Sequence, residues 1–373
     1  MPENQNPLHE LHPLGQSVWL DYIRREILDN GELKEMIARY DLRGVTSNPS
    51  IFEEAIGKSD DYDAAFQELA AEGSDAGAAY ERVAVQDIQH ACDLFRSVYD
   101  AAGGHDGFVS LEVSPELAHS AEATIDEARR LWSAVDRPNL MVKVPGTEGG
   151  VPAVEQLIAD GFNVNVTLLF SISGYERIME AYLRGLEKRA EQGGGLDRVA
   201  SVASFFVSRV DSAIDAQLEK IGTEQAKAMM GKAAVANAQL AYQRFTEVFS
   251  GERWERLAAL GAKVQRPLWA STSTKNPTYR DVIYVEELVG PETVNTVPLA
   301  TLKAFADHGE VRRTVDADLD RARSDLATLS ELGISLDEVT TQLQEEGVEK
   351  FAKSFRQMIQ AVGEKLARVA QGT

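Results

Sequence analysis

The stretch Asn139-Leu140-Met141-Val142-Lys143-Val144-Pro145 has the composition of a short buried strand that contains one lysine. Pro145 cannot extend a hydrogen-bonded ladder, so the strand is expected to end there. An ammonium group in an apolar strand loses hydration, which favours the neutral amine. A neutral amine attacks carbonyl carbon and forms an imine, so Lys143 is a candidate nucleophile. The alternative is a lysine whose side chain extends from the strand end into water.

Seven further segments of β character accompany the Lys143 strand, and helical patterns alternate with them. These segments span residues 17–21, 44–48, 108–113, 163–170, 200–207, 263–272 and 293–297. Strict alternation of strand and helix predicts parallel strands joined by crossovers. Eight such units within residues 17–308 predict an α/β fold, a (β/α)8 TIM-type barrel with additional helices. An open doubly wound sheet is the alternative, but no G-x-G-x-x-G turn follows the first strand.

We expect residues 1–373 to form a single barrel domain. Residues 1–16 contain three prolines and are expected to be a flexible N-terminal segment. Residues 309–373 have helical spacing and are expected to pack on the barrel, with helix breaks at Gly309, Gly333 and Gly347. Single helices are also predicted for residues 22–40 and 277–288.

Composition narrows the classes of partner. The formal net charge is −21 at pH 7, and this negative field opposes binding to nucleic acid or to an anionic membrane surface. Neither a secretory signal nor an apolar run of membrane-spanning length is visible. The single cysteine, Cys92, excludes an intrachain disulfide and a thiolate zinc cluster. We therefore expect a cytoplasmic protein without nucleic-acid or membrane partners, either a monomer or a homodimer.

Polar side chains stand at the ends of successive predicted strands. They are Asp21, Asn48, Glu112, Lys143, Asn165, Thr167 and Ser204, and Phe206 shares a strand face with Ser204. Taken singly, each has a structural explanation, such as a turn residue, a helix cap or a backbone hydrogen bond. In a (β/α)8 barrel, however, the C-terminal strand ends converge on one mouth. A mouth lined so densely with polar groups predicts a ligand site.

The same residues indicate imine chemistry. The histidines fall outside the predicted strand ends, and neither metal-ligand spacing nor a cofactor loop is apparent, so no metal and no cofactor are expected. Glu112, one strand from Lys143, could hold a water and move protons during imine formation. Asp21 could accept the proton of a substrate hydroxyl as a C–C bond breaks.

Other side chains indicate the class of substrate. Asn48, Asn165 and Ser204 can donate and accept hydrogen bonds, which suits a polyhydroxylated molecule. Arg209 and Lys275 follow adjacent strands and could together bind a phosphate. Surface charges in loops are the alternative for these two residues.

Four segments resemble the signature segments of the transaldolase family, in matching order and spacing. They are Thr46-Ser47-Asn48-Pro49-Ser50-Ile51-Phe52, the Lys143 strand, Asn165-Val166-Thr167-Leu168-Leu169-Phe170-Ser171, and Ser204 to Arg209. The resemblance runs from about Val18 to the C-terminal helices and is closest to the longer bacterial form. It implies a class I, Schiff-base enzyme of the pentose phosphate pathway with sugar-phosphate substrates. Such an enzyme moves a dihydroxyacetone unit from sedoheptulose 7-phosphate or fructose 6-phosphate to glyceraldehyde 3-phosphate or erythrose 4-phosphate.

The resemblance also implies a role for each catalytic residue. Lys143 would form the imine, and Asp21 would be the acid and base at the cleaved bond. Glu112 and Thr167 would hold the catalytic water. Glu112, where the related fructose-6-phosphate aldolases have glutamine, favours transaldolase.

For substrate binding, the resemblance implies that Asn48, Asn165 and Ser204 contact the dihydroxyacetone hydroxyls. Arg209 would bind phosphate, and Lys275 stands where the family's common pattern has an arginine. Phe206, in place of a proton-donating tyrosine, again favours transaldolase. The alternatives are a class I fructose-6-phosphate aldolase and a barrel that binds sugar phosphates without turnover.

Overall fold

The computed structural model describes residues 6–57 and 59–370. Within them, eight strands form a closed barrel: β1 Gln16–Leu20, β2 Leu42–Val45, β3 Phe108–Glu112, β4 Leu140–Pro145, β5 Val164–Leu169, β6 Ser201–Phe206, β7 Gln265–Ala270 and β8 Thr293–Val297. The strands are parallel and pair in chain order, and β1 closes the barrel against β8. The predicted (β/α)8 barrel is confirmed, and each predicted strand segment overlaps an observed strand.

Helices surround the barrel and also extend it at both ends of the chain. The described residues form α1 Leu8–Leu11, α2 Arg25–Asp29, α3 Glu32–Tyr40, α4 Pro49–Gly57, α5 Asp63–Ala71, α6 Ala76–Ala101, α7 Ala121–Val135, α8 Gly150–Asp160, α9 Ile172–Glu191, α10 Ser208–Ile221, α11 Glu224–Met229, α12 Ala233–Val248, α13 Gly251–Ala259, α14 Ile283–Glu286, α15 Leu299–His308, α16 Leu319–Glu331 and α17 Leu336–Ala370. Short 3-10 turns span His12–Leu14 and Pro115–Leu117. None of the helices in this described part of the chain is long and apolar enough to span a bilayer.

The sequence of β4 reflects its position between the barrel interior and the outer helices. A parallel strand buried on both faces is apolar along its whole length, and every residue of β4 is buried. The exception in composition is Lys143, which pairs in register with Glu112 on β3 and with Asn165 on β5. Adjacent residues in register point to the same side of a sheet, so these three side chains lie next to one another.

Two predicted segments differ in the structure. Residues 1–5 of the predicted flexible segment lie outside the described residues, and residues 6–16 form α1, a 3-10 turn and the start of β1. Leu8 and Leu11 are buried in the core, which fixes this part of the chain. The single helix predicted for residues 22–40 is two helices, because Gly31 adopts a φ of 85° between α2 and α3.

The prediction of a helix over residues 277–288 is wrong except for the four residues of α14, Ile283–Glu286. The chain after β7 instead follows a loop that side chains hold in place. Arg280 pairs with Glu286 at 2.7 Å, and the Thr274 hydroxyl donates to the backbone carbonyl of Arg280 at 3.1 Å. These contacts replace the regular hydrogen bonds of a helix, and a helical pattern in the sequence does not reveal them.

The helix α17 lies across the C-terminal mouth of the barrel and packs on α4 and α5. Gln344 Nε2 donates to the carbonyl of Leu168 at 2.9 Å and to that of Gly146 at 3.2 Å. The break predicted at Gly347 is wrong, since α17 continues through it. A Cβ at this position would lie 2.9 Å from Leu168 Cδ2, so the glycine serves a close approach of the helix to β5. The breaks predicted at Gly309 and Gly333 do follow α15 and α16.

We expect Gly347→Ala to give a less stable protein than Gly363→Ala, its matched control in the same helix. Alanine inside a helix is favoured over glycine by about 0.5–1 kcal/mol. At Gly363 the nearest atom to the new Cβ would be Ala76 Cβ at 3.7 Å, an ordinary contact. At Gly347 the buried Leu168 must move, which costs about 1–3 kcal/mol. Thermal unfolding followed by circular dichroism measures the difference, and equal midpoints for the two variants would contradict this account.

Candidate active site

The C-terminal strand ends surround a cleft of about 260 Å³ at the mouth of the barrel. Of the predicted site residues, the cleft is lined by Asp21, Asn48, Lys143, Thr167, Ser204, Phe206, Arg209 and Lys275. Glu112 and Asn165 are buried next to these residues rather than in the lining. The rest of the lining is Thr46, Ser50, Ile51, Glu54, Ala270, Ser271, Ser273, Thr296, Pro298, Lys350 and Phe351.

Lys143 is buried and paired with an acid. The residue is 5% exposed, and its Nζ lies 3.0 Å from Glu112 Oε2. It also donates a hydrogen bond to the carbonyl of Ser47 at 3.0 Å. The ring centroid of Phe351, from α17, lies 5.7 Å from Nζ. The alternative of a lysine that extends into water is therefore excluded, and the amine faces the cleft from a protected position.

Two carboxyl groups next to Lys143 hold protons more tightly than they would in water. Burial raises the pKa of Glu112, and the nearby Lys143 charge opposes that rise. Burial also raises the pKa of Asp21, against the Lys143 charge and a hydrogen bond from Thr46. The Thr46 hydroxyl donates to Asp21 Oδ1 at 2.8 Å. Carboxyls with raised pKa values are suited to proton transfer near neutral pH.

Thr167 is presented to the cleft by an irregular strand end. The next residue, Leu168, has a φ of 60°, which is unfavourable for a bulky side chain, and the β5–β6 register shifts between Val166 and Leu169. Among the described residues, Thr167 Oγ1 has no hydrogen-bond partner. The Glu112 carboxylate forms the ion pair with Lys143, but within this described part of the chain neither of its oxygens has a partner at hydrogen-bond angles. A buried hydroxyl without a partner is costly, and beside it stands a carboxylate whose ion pair with Lys143 leaves room for further hydrogen bonds. This side of Lys143 is therefore a place for a polar group or a water.

Asn165 lies beneath the cleft. It is fully buried; its Oδ1 accepts a hydrogen bond from Ser204 at 2.7 Å, and its Nδ2 donates to Ser110 Oγ at 3.0 Å. The amide therefore orients the Ser204 hydroxyl, which does line the cleft. The strand-end pattern in the sequence located Asn165 near the site but not the depth at which it lies.

Positive charge gathers at one side of the cleft. Arg209, in the first turn of α10, lies over the Phe206 ring with its Cζ 5.2 Å from the centroid. Lys275 donates to Ser273 Oγ at 2.6 Å. Lys350 joins them from α17 and was missed by the sequence reasoning, as was Phe351. Neither residue follows a strand, so the strand-end pattern carries no signal for them.

Two carboxylates on α10 hold the loop that carries Lys275. The hydroxyl of Tyr284 donates to Asp211 at 2.8 Å, and that of Tyr279 donates to Asp215 at 2.7 Å. Burial raises the pKa of Asp211 to about 6, with its hydrogen bonds opposing the rise. The folded chain therefore binds a proton at Asp211 more tightly than the unfolded chain does.

This pKa predicts a pH dependence of stability. In the folded chain the pKa of Asp211 is above its ordinary value of 3.8. The tighter binding of this proton stabilises the folded state, and its contribution to the free energy of unfolding is fully present below about pH 4. The contribution is lost as the pH rises to about 6, and it amounts to about 3 kcal/mol. We expect the free energy of unfolding of the wild type to fall by this amount relative to Asp211→Asn between these pH values. Urea titrations of both proteins check it. A wild-type free energy of unfolding that stays constant relative to that of Asp211→Asn, or that rises relative to it with increasing pH, would contradict the prediction.

The chain is similar to known transaldolases over almost its whole length. A family model described as transaldolase/fructose-6-phosphate aldolase matches residues 18–362. The chain is 50% identical over 364 residues to the transaldolase of Frankia alni, a match that covers 97% of this chain and 98% of that one. It is 51% identical over 359 residues to the transaldolase of Mycolicibacterium smegmatis, covering 96% and 97%. A protein named transaldolase 2 from Nostoc punctiforme is 48% identical over 372 residues, covering 97% and 98%.

The matched family model begins within β1, spans the other seven strands and reaches most of α17, so it includes every residue of the cleft. The resemblance seen in the sequence is confirmed by both kinds of comparison. The chain belongs to the transaldolase/fructose-6-phosphate aldolase family.

Proposed function

We propose that this chain is a transaldolase that works through an imine on Lys143. It transfers a dihydroxyacetone unit from sedoheptulose 7-phosphate to glyceraldehyde 3-phosphate and produces erythrose 4-phosphate and fructose 6-phosphate. The observation that carries the proposal is the buried Lys143 amine, 3.0 Å from the Glu112 carboxylate and open to a polar cleft. The proposal places this reaction in the pentose phosphate pathway of the cytoplasm.

Imine formation requires that Lys143 lose a proton and that the ketose C2 oxygen leave as water. Glu112 is the nearest carboxylate to Nζ, and its raised pKa fits it to accept the ammonium proton. The neutral amine adds to C2 and gives a carbinolamine. Glu112 then returns a proton to the C2 hydroxyl, which departs as water toward the Thr167 hydroxyl.

Bond cleavage requires a base at the C4 hydroxyl. Asp21 lines the cleft and takes this proton, the C3–C4 bond breaks, and its electron pair moves into the imine to give an enamine. Erythrose 4-phosphate leaves. The enamine carbon then attacks the aldehyde of glyceraldehyde 3-phosphate, and Asp21 returns its proton to the new hydroxyl. Hydrolysis of the imine by the water next to Glu112 and Thr167 releases fructose 6-phosphate.

Substrate orientation follows from the rest of the lining. Asn48 and Ser204 bind the hydroxyls of the dihydroxyacetone unit, and Asn165 acts on these hydroxyls by fixing Ser204. Arg209 and Lys275 bind the phosphate at the other end of the sugar. Phe206 supports the Arg209 guanidinium and adds no proton donor near the imine.

Product analysis tests the proposal. The purified protein is incubated with fructose 6-phosphate, with and without erythrose 4-phosphate, and sedoheptulose 7-phosphate and free dihydroxyacetone are quantified. We expect sedoheptulose 7-phosphate to form only with the acceptor present, and far faster than dihydroxyacetone is released. Release of dihydroxyacetone at an equal rate would instead identify an aldolase.

Borohydride trapping separates an enzyme from a barrel that only binds sugar phosphates. Reduction in the presence of fructose 6-phosphate should add the mass of the reduced sugar unit to the peptide that contains Lys143. Absence of any added mass would reject the imine mechanism and support a binding protein.

A further inference from the structure

The C-terminal helix places a third cation next to the two expected phosphate ligands. Lys350 lies on α17, far along the chain from the barrel strands, yet it lines the same cleft as Arg209 and Lys275. Its neighbour Phe351 also lines the cleft and lies over Lys143. One turn of α17 thus contacts both the cationic side of the cleft and the amine.

In the part of the chain that the structure describes, these cations lack carboxylate partners of their own. Among the described residues, neither Arg209 nor Lys350 forms an ion pair. The charge with the largest effect on Arg209 is that of Asp21, and the charge with the largest effect on Lys350 is that of Arg209. The Arg209 charge lowers the pKa of Lys350, and burial, Arg209 and Lys350 lower the pKa of Lys275. In a chain whose net charge is −21, mutually repelling cations at a cleft are unfavourable unless an anion lies between them.

We propose that Lys350 is a third phosphate ligand and that phosphate binding holds α17 over the substrate. The inference rests on the proposed function and deepens it, because Arg209 and Lys275 alone are the expected phosphate ligands. Lysine supplies a charge on a flexible stem, so it can follow a phosphate without fixed bidentate geometry.

The position of Phe351 links this contact to the chemistry. Lys350 and Phe351 are adjacent, and the Phe351 ring centroid is 5.7 Å from Lys143 Nζ. A phosphate that draws Lys350 inward keeps this ring over the amine and limits the access of water to the imine. Substrates that carry a phosphate should therefore gain from Lys350, whereas unphosphorylated dihydroxyacetone should not.

The test compares Lys350→Met with Lys353→Met, an exposed lysine three residues further along the same helix that does not line the cleft. Methionine keeps the stem and removes the charge. We expect Lys350→Met to raise the KM for fructose 6-phosphate about tenfold, which corresponds to about 1.4 kcal/mol. The inhibition constant of inorganic phosphate should rise by a similar factor. Dihydroxyacetone carries no phosphate, so Lys350→Met should change borohydride trapping with it at least about tenfold less than it changes the KM for fructose 6-phosphate. Lys350→Arg keeps the charge and should recover most of the loss in Lys350→Met.

The outcomes separate this inference from the proposed function. If Lys350→Met matches Lys353→Met in both the KM and the inhibition constant, Lys350 is a solvated surface lysine and the inference fails. A failure of the wild type to trap dihydroxyacetone would reject the imine mechanism instead. In that case calorimetric titration with inorganic phosphate still tests Lys350, and equal affinity in Lys350→Met and the wild type would reject it.

Discussion

Lys143→Ala is expected to reduce transaldolase turnover by about 10⁴-fold or more, as is typical when a covalent nucleophile is removed. Among the described residues, the other lysines of the cleft are Lys275 and Lys350, which lie at its cationic side, whereas Lys143 lies 3.0 Å from Glu112, so neither is placed to replace it. The coupled assay with fructose 6-phosphate and erythrose 4-phosphate measures the loss. Borohydride should give no adduct on the peptide that contains position 143.

The fold should survive this substitution, although a buried pair is broken. Removal of one partner of a buried ion pair is destabilising by about 3–5 kcal/mol when the other charge stays ionised. Burial raises the pKa of Glu112, and without Lys143 nothing opposes the rise, so this carboxyl can become neutral. The double variant Lys143→Met with Glu112→Gln is the control, because it removes both charges and keeps side-chain volume. Retained turnover in a well-folded Lys143→Ala protein would contradict the imine mechanism.

Much of the barrel was predictable because its strands are buried on both faces. Such strands are continuous apolar runs, and Pro145 marks the end of β4 in the sequence as it does in the structure. Polar residues at strand ends then identify the lining of the mouth, since parallel strands bring these ends together. Asp21, Lys143 and Ser204 were located in this way, and all three line the cleft.

Other features depend on tertiary packing that a periodic pattern does not encode. Lys350 and Phe351 enter the cleft only because α17 docks across the mouth. Gly347 was interpreted as a helix break, whereas the structure uses its missing side chain to let α17 approach Leu168. The depth of Asn165 follows from hydrogen bonds to Ser204 and Ser110, neither of which can be inferred from spacing along β5.

Glu112→Gln is expected to lower turnover by about 10²–10⁴-fold, the range for loss of a positioned acid and base. The amide fills the same space, but it neither accepts the Lys143 proton nor returns one to the departing hydroxyl. It also removes the negative charge 3.0 Å from Nζ. Both formation and hydrolysis of the imine should slow, so exchange of ¹⁸O from water into the C2 carbonyl of fructose 6-phosphate should fall together with turnover.

Glu127→Gln is the matched control for this prediction. Burial also raises the pKa of Glu127, and its carboxylate accepts a hydrogen bond from the backbone N–H of Ser114 at 3.2 Å, but it does not line the mouth of the barrel. The same loss of charge at Glu127 should leave turnover within about twofold of the wild type, since this carboxylate does not line the cleft in which the proposed chemistry takes place. Equal losses in the two variants would mean that Glu112 acts through the stability of the barrel. A selective loss in Glu112→Gln, with ¹⁸O exchange slowed by the same factor, assigns the proton transfers at the imine to this carboxyl.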